Sequence, residues 1–220
     1  MLQPDEIIRS NRKTLSISID AFNRLIVRAP KRCDEERIFA FIQKQETWIL
    51  RKRAKMAGAG MQLPPENLDG YEFLLLGKTC KIYLDDGANI RFDAQNGRLY
   101  LPKENARVRI VKWLKENALR IFLQVTNEWS ARMGVQAKTV AVSSAKSRWG
   151  SCSADNSIRY TFRLLYAPKE IIEYVAVHEL AHIRHKNHSP RFWQEVAKYI
   201  PDWKHRRDWL KYRGALLQIF

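Results

Sequence analysis

Residues 178–182 read His-Glu-Leu-Ala-His, and a third histidine, His188, follows six residues later. Residues four apart on an α-helix lie on the same face, so His178 and His182 can turn their imidazole nitrogens toward one point. Glu179 is rotated by about 100° from His178, so its carboxylate can reach a water molecule at that point without being a ligand. The pattern therefore predicts a zinc site with a catalytic base beside it.

His188 can join this site only if the helix ends before it. In a continuous helix, residue 188 would lie about 9 Å beyond His182 along the axis, too far to share a zinc ion with ligands at about 2.0–2.1 Å. Pro190 disfavours helical geometry at Ser189, and a Ser-Pro pair is a good start for a new helix. We therefore predict that His188 lies in a turn between two helices and is the third ligand of Zn²⁺.

Apolar residues predict that the metal-site helix is buried. Ile171 and Val175 precede His178 and His182 on one face, where an unpaired imidazole would be costly. Other apolar residues continue nearly all round the helix, which is typical of a helix inside a core. The alternative interpretation is a helix that carries two surface or core histidines and no metal.

Composition limits the class of protein. A chain of 220 residues, 45% of them hydrophobic and seven of them Trp, can bury a real core. The chain has no apolar run of about 18 residues, so no membrane span is predicted. The N-terminus lacks the basic and then apolar residues of a secretory signal. The three cysteines are widely spaced, which favours a reducing compartment without disulfides. We expect a cytoplasmic protein.

The net charge of +16 indicates a partner that is itself anionic, such as nucleic acid, a nucleotide or an acidic protein. The alternative is a generally cationic surface, because no single dense basic tract stands out. Charge alone does not decide between the two.

Periodicity predicts an α+β fold with mixed or antiparallel sheets, a buried metal-site helix and C-terminal helices. We expect one domain over residues 1–220, with a β-rich part carrying one helix at 1–102 and the metal-site part at 103–220. Gly58-Ala59-Gly60 and Pro64-Pro65 mark a linker. Gly77-Lys78-Thr79 lacks the upstream glycine and the following helix of a phosphate-binding loop, so it predicts a turn.

The elements are predicted in the following order. A hairpin covers residues 14–20 and 25–27 with a turn through Asn23, and one helix runs from Asp34 to Met56. Strands follow at 71–76, 81–84, 89–93 and 98–101, the last pair joined through Asn96-Gly97. A long helix covers 104–133 and ends at Gly134. Strands at 139–143, 147–153 and 158–164 precede the metal-site helix, and helices at 190–199 and about 203–217 end the chain.

Several stretches in the C-terminal half of the sequence resemble a known family. Ser147-Arg148-Trp149-Gly150-Ser151-Cys152-Ser153, residues 174–182 and Asn187-His188-Ser189 with Phe192-Trp193 are similar to the YgjP-like metallopeptidase family. The resemblance implies a zincin-like zinc hydrolase with His178, His182 and His188 as ligands and Glu179 as catalytic base. It also implies kinship with the Wss1-like and SprT-like proteases, which act on proteins bound to DNA.

Two departures define the kind of zincin. His185 stands where metzincins have a glycine, and no Met follows the site, so the chain is not a metzincin proper. In an alternative ligand set, Glu195 would replace His188, which requires Glu195 to reach back from the next helix.

The predicted reaction is hydrolysis of a protein or peptide substrate by a water molecule that Glu179 activates. The residue that stabilises the oxyanion is left open among five candidates: Arg148, Tyr174, Tyr199, His185 and His205. The strand around Arg148–Cys152 offers an edge to an extended peptide or is an ordinary core strand. Two other functions remain open, a nucleotide pyrophosphohydrolase and a non-enzymatic nucleic-acid-binding module with a structural metal.

Overall fold

Ten strands in three sheets alternate with six α-helices and one 3₁₀ helix in the residues that the structure, a computed structural model, describes: 2–19, 24–57 and 64–214. The predicted α+β class is confirmed. The chain divides into two compact units, Met1–Leu63 and Pro64–Phe220. Their boundary falls within the predicted linker, of which residues 58–63 lie outside the described residues. The single domain over 1–220 stays a prediction.

The first unit is a three-stranded sheet with two helices. Its elements are β1 (Glu6–Ser10), β2 (Ser16–Ile19), β3 (Leu25–Pro30), α1 (Glu35–Lys44) and α2 (Glu46–Ala57). The predicted hairpin is confirmed, because β2 pairs antiparallel with β3; its turn at Asn23 lies outside the described residues. β1 pairs parallel with β3 on the other side and was not predicted.

The prediction of one helix from Asp34 to Met56 is wrong, because the chain breaks at Gln45. The Gln45 N–H donates to the carbonyl of Ile42 at 3.0 Å and ends α1 there. Ile38 and Ile42 of α1 and Ile49 of α2 all lie in one apolar core with strand residues. The break therefore lets both helices bury isoleucines against one sheet.

The second unit begins with a four-stranded sheet in the order β4-β5-β7-β6. The strands are β4 (Glu72–Leu75), β5 (Lys78–Asp85), β6 (Arg91–Asp93) and β7 (Arg98–Pro102), as predicted within a few residues. Leu76 and Gly77 have positive φ angles of 52° and 78° and form the two-residue turn between β4 and β5. The turn predicted at Gly77-Lys78-Thr79 is confirmed at Gly77 only, because Lys78 and Thr79 already belong to β5.

A long helix, α3 (Ala106–Met133), follows the sheet and ends at Gly134, whose φ of 63° is left-handed. Both the helix and its glycine stop were predicted. In the described part of the chain, no helix is both long and apolar enough to cross a membrane.

A second sheet in this unit has the order β8-β10-β9, with β8 at Thr139–Ser143, β9 at Gly150–Cys152 and β10 at Ser157–Thr161. The strand predicted at 158–164 is wrong at its end, because Phe162–Tyr166 forms a 3₁₀ helix. Every residue of that segment is buried. A half-exposed strand would bury alternate residues, whereas the tight helix packs all of them, in contact with α3 and β4.

Three helices complete the unit: α4 (Lys169–Arg184), α5 (Pro190–Tyr199) and α6 (Trp203–Arg213). α4 packs against α3, β9, α5 and α6. The predicted break before Pro190 is confirmed. The part of the last predicted helix beyond residue 214 lies outside the described residues.

Candidate metal centre

α4 carries His178, Glu179 and His182 in the middle of the second unit. Its buried residues lie on all sides of the helix, as the sequence predicted: Ile171, Ile172, Tyr174, Val175, Ala176, Val177, Glu179, Leu180 and Ala181. The helix ends at His185, whose φ of −128° and ψ of 96° are extended. The chain then turns through His188 to Ser189, and Pro190 begins α5.

The structure brings the three predicted histidines together. Each offers a ring nitrogen, and these nitrogens all lie within 4.8 Å of one another. The Nε2 atoms of His178 and His188 are 3.1 Å apart. Two ligands about 2.0–2.1 Å from one tetrahedral zinc ion would be about 3.3 Å apart, so the observed spacing fits a shared ion.

A backbone contact sets the tautomer of His182. Its Nδ1 lies 3.0 Å from the carbonyl oxygen of His185. A carbonyl can only accept, so Nδ1 donates the hydrogen bond, and Nε2 keeps a lone pair for a metal. The residue that ends α4 therefore also orients one of the imidazoles, in the manner of groups that support metal ligands.

Burial favours the neutral form of His178 and His182. It lowers the pKa of His178 to about 3, and the nearby His182 and His188 lower it further. Burial also lowers the pKa of His182, against the opposing effect of the His185 carbonyl. Because a metal binds the neutral imidazole, these shifts leave lone pairs available near neutral pH.

The donor set fits zinc with an open position. Among the described residues, no fourth histidine, cysteine or carboxylate joins the cluster. Glu195, the alternative ligand, is instead ion-paired with Arg184. Three nitrogen ligands and one free vertex are the arrangement of catalytic rather than structural zinc sites.

Phe192 and Trp193 enclose the imidazoles from α5. The ring of Phe192 lies 4.5 Å from that of His182, centre to centre, and the ring of Trp193 stacks on His188 at 5.7 Å. These aromatic contacts fix the ring planes of two of the three histidines.

Arg184, the last residue of α4, ties three helices together. Its guanidinium donates to the carbonyl of Met133 at 2.6 Å, at the end of α3, and pairs with Glu195 of α5. The end of α4, and with it the turn that carries His188, is therefore fixed to two neighbouring helices.

Glu179 is buried, with 5% of its surface exposed. Burial raises the pKa of its carboxyl to about 8. Gly150 of β9 lies directly against it, because a Cβ atom added at Gly150 would be 2.5 Å from Oε1 of Glu179. Only glycine permits this approach of the strand to the helix.

A cavity of about 350 Å³ opens beside Glu179 and His178. Its lining residues come from β9 and the residue before it, from α4, and from α5 and α6: Trp149, Gly150, Tyr174, Val175, His178, Glu179, Trp193, Arg207, Leu210 and Lys211. A glutamate, a histidine and a tyrosine thus line one cavity.

Only one of the five oxyanion candidates lines this cavity in the described structure, namely Tyr174. Sequence reasoning missed Gly150, Arg207 and Lys211. The spacing of three and four residues between Arg207, Leu210 and Lys211 was a usable signal, because it places all three on one face of a helix.

The model of the "YgjP-like, metallopeptidase domain" family matches residues 13–213. The chain belongs to the YgjP-like metallopeptidase family. No curated protein matches this YgjP-like chain.

A solved structure also matches this YgjP-like chain, the crystal structure of the metallopeptidase zymogen of Pyrococcus abyssi abylysin. The two are 26% identical, and the match covers 40% of this chain and 89% of that one with a TM-score of 0.37.

Proposed function

We propose that this protein is a zinc-dependent metallopeptidase in which His178, His182 and His188 hold the metal and Glu179 is the catalytic base. Membership of a metallopeptidase family supports the general activity. The observation that carries the finer proposal is the convergence of three imidazoles beside a buried carboxylate, with His178 and Glu179 both lining one cavity.

Glu179 moves the proton in this reaction. Zinc held by the three histidines would supply a Lewis acid for the substrate carbonyl and would lower the pKa of a water molecule. Its charge would also oppose the burial that raises the pKa of Glu179. The ionised carboxylate would then accept a proton from the attacking water and deliver it to the leaving nitrogen. Gly150 lets the strand lie against the carboxylate and exclude other water from its back.

Tyr174 is the side chain best placed to stabilise the oxyanion. It lies one turn before His178 on α4 and lines the same cavity as Glu179. Burial raises the pKa of its hydroxyl to about 12, against the lowering effect of Arg207, so it remains a hydrogen-bond donor at neutral pH. A donor aimed at developing negative charge is worth about 10²–10³ in rate, and Tyr174→Phe should lower kcat by a factor of that order.

Strand β9 offers the place for an extended peptide. It lies at the edge of its sheet, with β10 on one side, and Gly150 brings it next to Glu179. A peptide can add to such an edge through backbone hydrogen bonds, which do not depend on its sequence. A protein or peptide would thereby lie across the cavity with its backbone near the base.

Two other functions remain predictions without a supporting observation in the comparisons: a nucleotide pyrophosphohydrolase and a nucleic-acid-binding module with a structural metal. The same holds for cytoplasmic location. The basic charge of the chain motivated the first two, and only an assay separates them from a peptidase.

One assay set tests the proposal. The zinc-loaded protein is given casein, a DNA-bound protein and nucleoside triphosphates, alongside Glu179→Gln. Glu170→Gln, in the first turn of the same helix, is the matched control. We expect proteolysis that falls by about 10²–10⁴ in Glu179→Gln and is unchanged in the control. If the variant loses only triphosphate hydrolysis, or no turnover depends on Glu179, the proposal is wrong.

A further inference from the structure

One face of α6 contributes to the lining of the cavity. Arg207, Leu210 and Lys211 all line it, at helical spacings of three and four residues. The end of the same helix touches the residue before β9, because a Cβ atom added at Gly214 would lie 2.5 Å from Cζ2 of Trp149. Helix and strand thus meet directly and close one side of the cavity.

Arg207 lies beside two stacked tryptophans. The rings of Trp193 and Trp203 are parallel within 17° and 4.2 Å apart, and the Arg207 guanidinium lies 4.9 Å from the centre of Trp203 and 5.5 Å from that of Trp193. A guanidinium within about 6 Å of both ring centres is attracted to them, which favours this position of the positive charge.

The charges of Arg207 and Lys211 are not neutralised by a neighbour. Among the described residues, neither forms an ion pair, whereas the adjacent Arg206 pairs with Asp202 and Glu173. Of the residues that line the cavity, Glu179 alone is acidic, and it is buried. Two cationic residues therefore line the cavity; the Lys211 ammonium also lies 5.4 Å from the ring centre of Tyr212, and Asp208 of the same helix is close enough to affect Tyr174.

We propose that this cavity binds a carboxylate of the peptide substrate, so that Arg207 and Lys211 select an acidic group close to the cleaved bond. The inference rests on the proposed peptidase function and adds its substrate preference. A planar carboxylate matches the fork of an arginine, and Lys211 adds a second positive charge. Leu210 and the tryptophan faces suit the methylene groups of a side chain.

The carboxylate has two possible sources, an Asp or Glu side chain and the α-carboxylate at the end of a peptide. A volume of about 350 Å³ is at the small end for ligand pockets and suits a group of this size. A triphosphate carries more negative charge than two cations can match, which makes it the less suitable ligand.

The first experiment measures selectivity in cleavage. End-blocked peptides of one sequence, with Glu, Gln or Lys scanned through each position, are offered to the zinc-loaded full chain, beside the same peptides with a free C-terminus. We expect kcat/KM to be about tenfold or more higher for a carboxylate at one position, the size of a hydrogen bond to a charged group. The position of the preference identifies the source.

Variants assign that preference to the cavity. In Arg207→Gln and Lys211→Met the ratio of kcat/KM for Glu over Gln should fall toward one. Lys204→Met removes the same charge from the same helix without touching the cavity lining, and should keep the wild-type ratio. If the wild-type enzyme is active but shows no carboxylate preference, the inference is wrong. It is also wrong if the preference persists in both Arg207→Gln and Lys211→Met. Neither outcome contradicts the proposed peptidase function.

A second experiment needs no turnover, so a failed peptidase proposal does not hide the result. The indole N–H signals of Trp149 and Trp193 are followed by NMR in the zinc-loaded chain during titration with N-acetyl-glutamate amide, N-acetyl-glutamine amide or inorganic triphosphate. Shifts caused by the glutamate compound, absent with glutamine and lost in Arg207→Gln, support the carboxylate site. Shifts with triphosphate alone overturn it. The absence of a shift both with the glutamate compound and with N-acetyl-glutamine, whose only carboxylate is the α-carboxylate, also overturns it.

Discussion

Two parts of the chain contact α4 at the candidate site: the turn between α4 and α5, and strand β9. They are specified by the sequence in different ways. On one side, the turn from α4 to α5 carries His188 to the other histidines. On the other side, β9 lies against Glu179 through Gly150. The turn is specified by neighbours in sequence, Ser189 and Pro190, whereas the strand contact joins residues 29 positions apart. A sequence therefore shows the first arrangement far more readily than the second.

The largest expected effect is the loss of zinc when His188, in the turn between α4 and α5, is replaced. His188→Ala removes one of three ligands, so zinc affinity should fall by more than the 10–100-fold known for groups that only support ligands. Bound zinc is measured by mass spectrometry during competition with a chelator. His205→Ala, an exposed histidine of α6, is the control and should keep its zinc. Equal zinc affinity in His188→Ala and wild type would rule out His188 as a ligand.

Replacement of Gly150 in β9 should lower the rate of peptide hydrolysis and leave the zinc content unchanged. A Cβ atom in Gly150→Ala would lie 2.5 Å from Oε1 of Glu179, so the carboxylate or the strand must move. A misplacement of about 1 Å can cost about a hundredfold in rate. Peptidase activity and bound zinc are compared with those of Ser151→Ala, whose side chain lies on the other face of β9. Loss of zinc together with activity would show that the strand supports the metal site and not only the base.

Pro190→Ala tests how much the local signal contributes to the turn. Pro190 has its φ fixed at a helical value and restricts the unfolded chain, so its loss should lower the free energy of unfolding by about 0.4–1 kcal/mol. Urea denaturation measures the change. Pro201→Ala, in the turn between α5 and α6, should have a similar effect on stability without weakening zinc binding. If both variants bind zinc as wild type does, packing alone places His188.

The smallest effect concerns the turn that joins β9 to β10. Ser153 donates to Asp155 at 2.6 Å, and Lys138 and Ser157 also donate to it, which holds the pKa of its carboxyl below the usual range. A depressed folded pKa stabilises the protein above the unfolded value of about 3.9 and ceases to do so as the pH falls through the folded value.

Asp155→Asn should therefore be less stable than wild type at pH 7, with the difference shrinking as the pH falls below about 4. Thermal unfolding at several pH values measures it. A difference that is constant down to acid pH would mean that the carboxylate charge contributes nothing to the turn.

Where local signals exist, the fold followed the sequence closely. Asn96-Gly97 predicted a two-residue hairpin turn between β6 and β7; the hairpin is confirmed, but its loop covers residues 94–97 and Gly97, not Asn96, has the positive φ. Gly134 predicted the end of α3, because a glycine readily adopts the left-handed conformation there. Gln45 has no such signal, yet the helix breaks there because Ile42 and Ile49 must both reach one core. β1 was missed because its parallel pairing with β3 depends on residues about 20 positions away.

The site divides in the same way. His178, Glu179, His182 and His188 have a spacing that a helix and a turn convert directly into proximity. Gly150, Arg207 and Lys211 come to the cavity only through the packing of β9 and α6 against α4. The helical spacing of Arg207 and Lys211 shows only that they share a face of α6, and the motif around Gly150 shows only a strand. Their place at the cavity therefore follows from the tertiary structure.

Arg184 links the ends of separate helices, which has a consequence for local unfolding. One guanidinium holds the final carbonyl groups of α3 and the Glu195 side chain of α5. Fraying of α3 at Met133 and release of α5 must therefore break the same group of contacts. Amide hydrogen exchange in these two segments should be governed by a single opening reaction, and Arg184→Met should let each exchange independently.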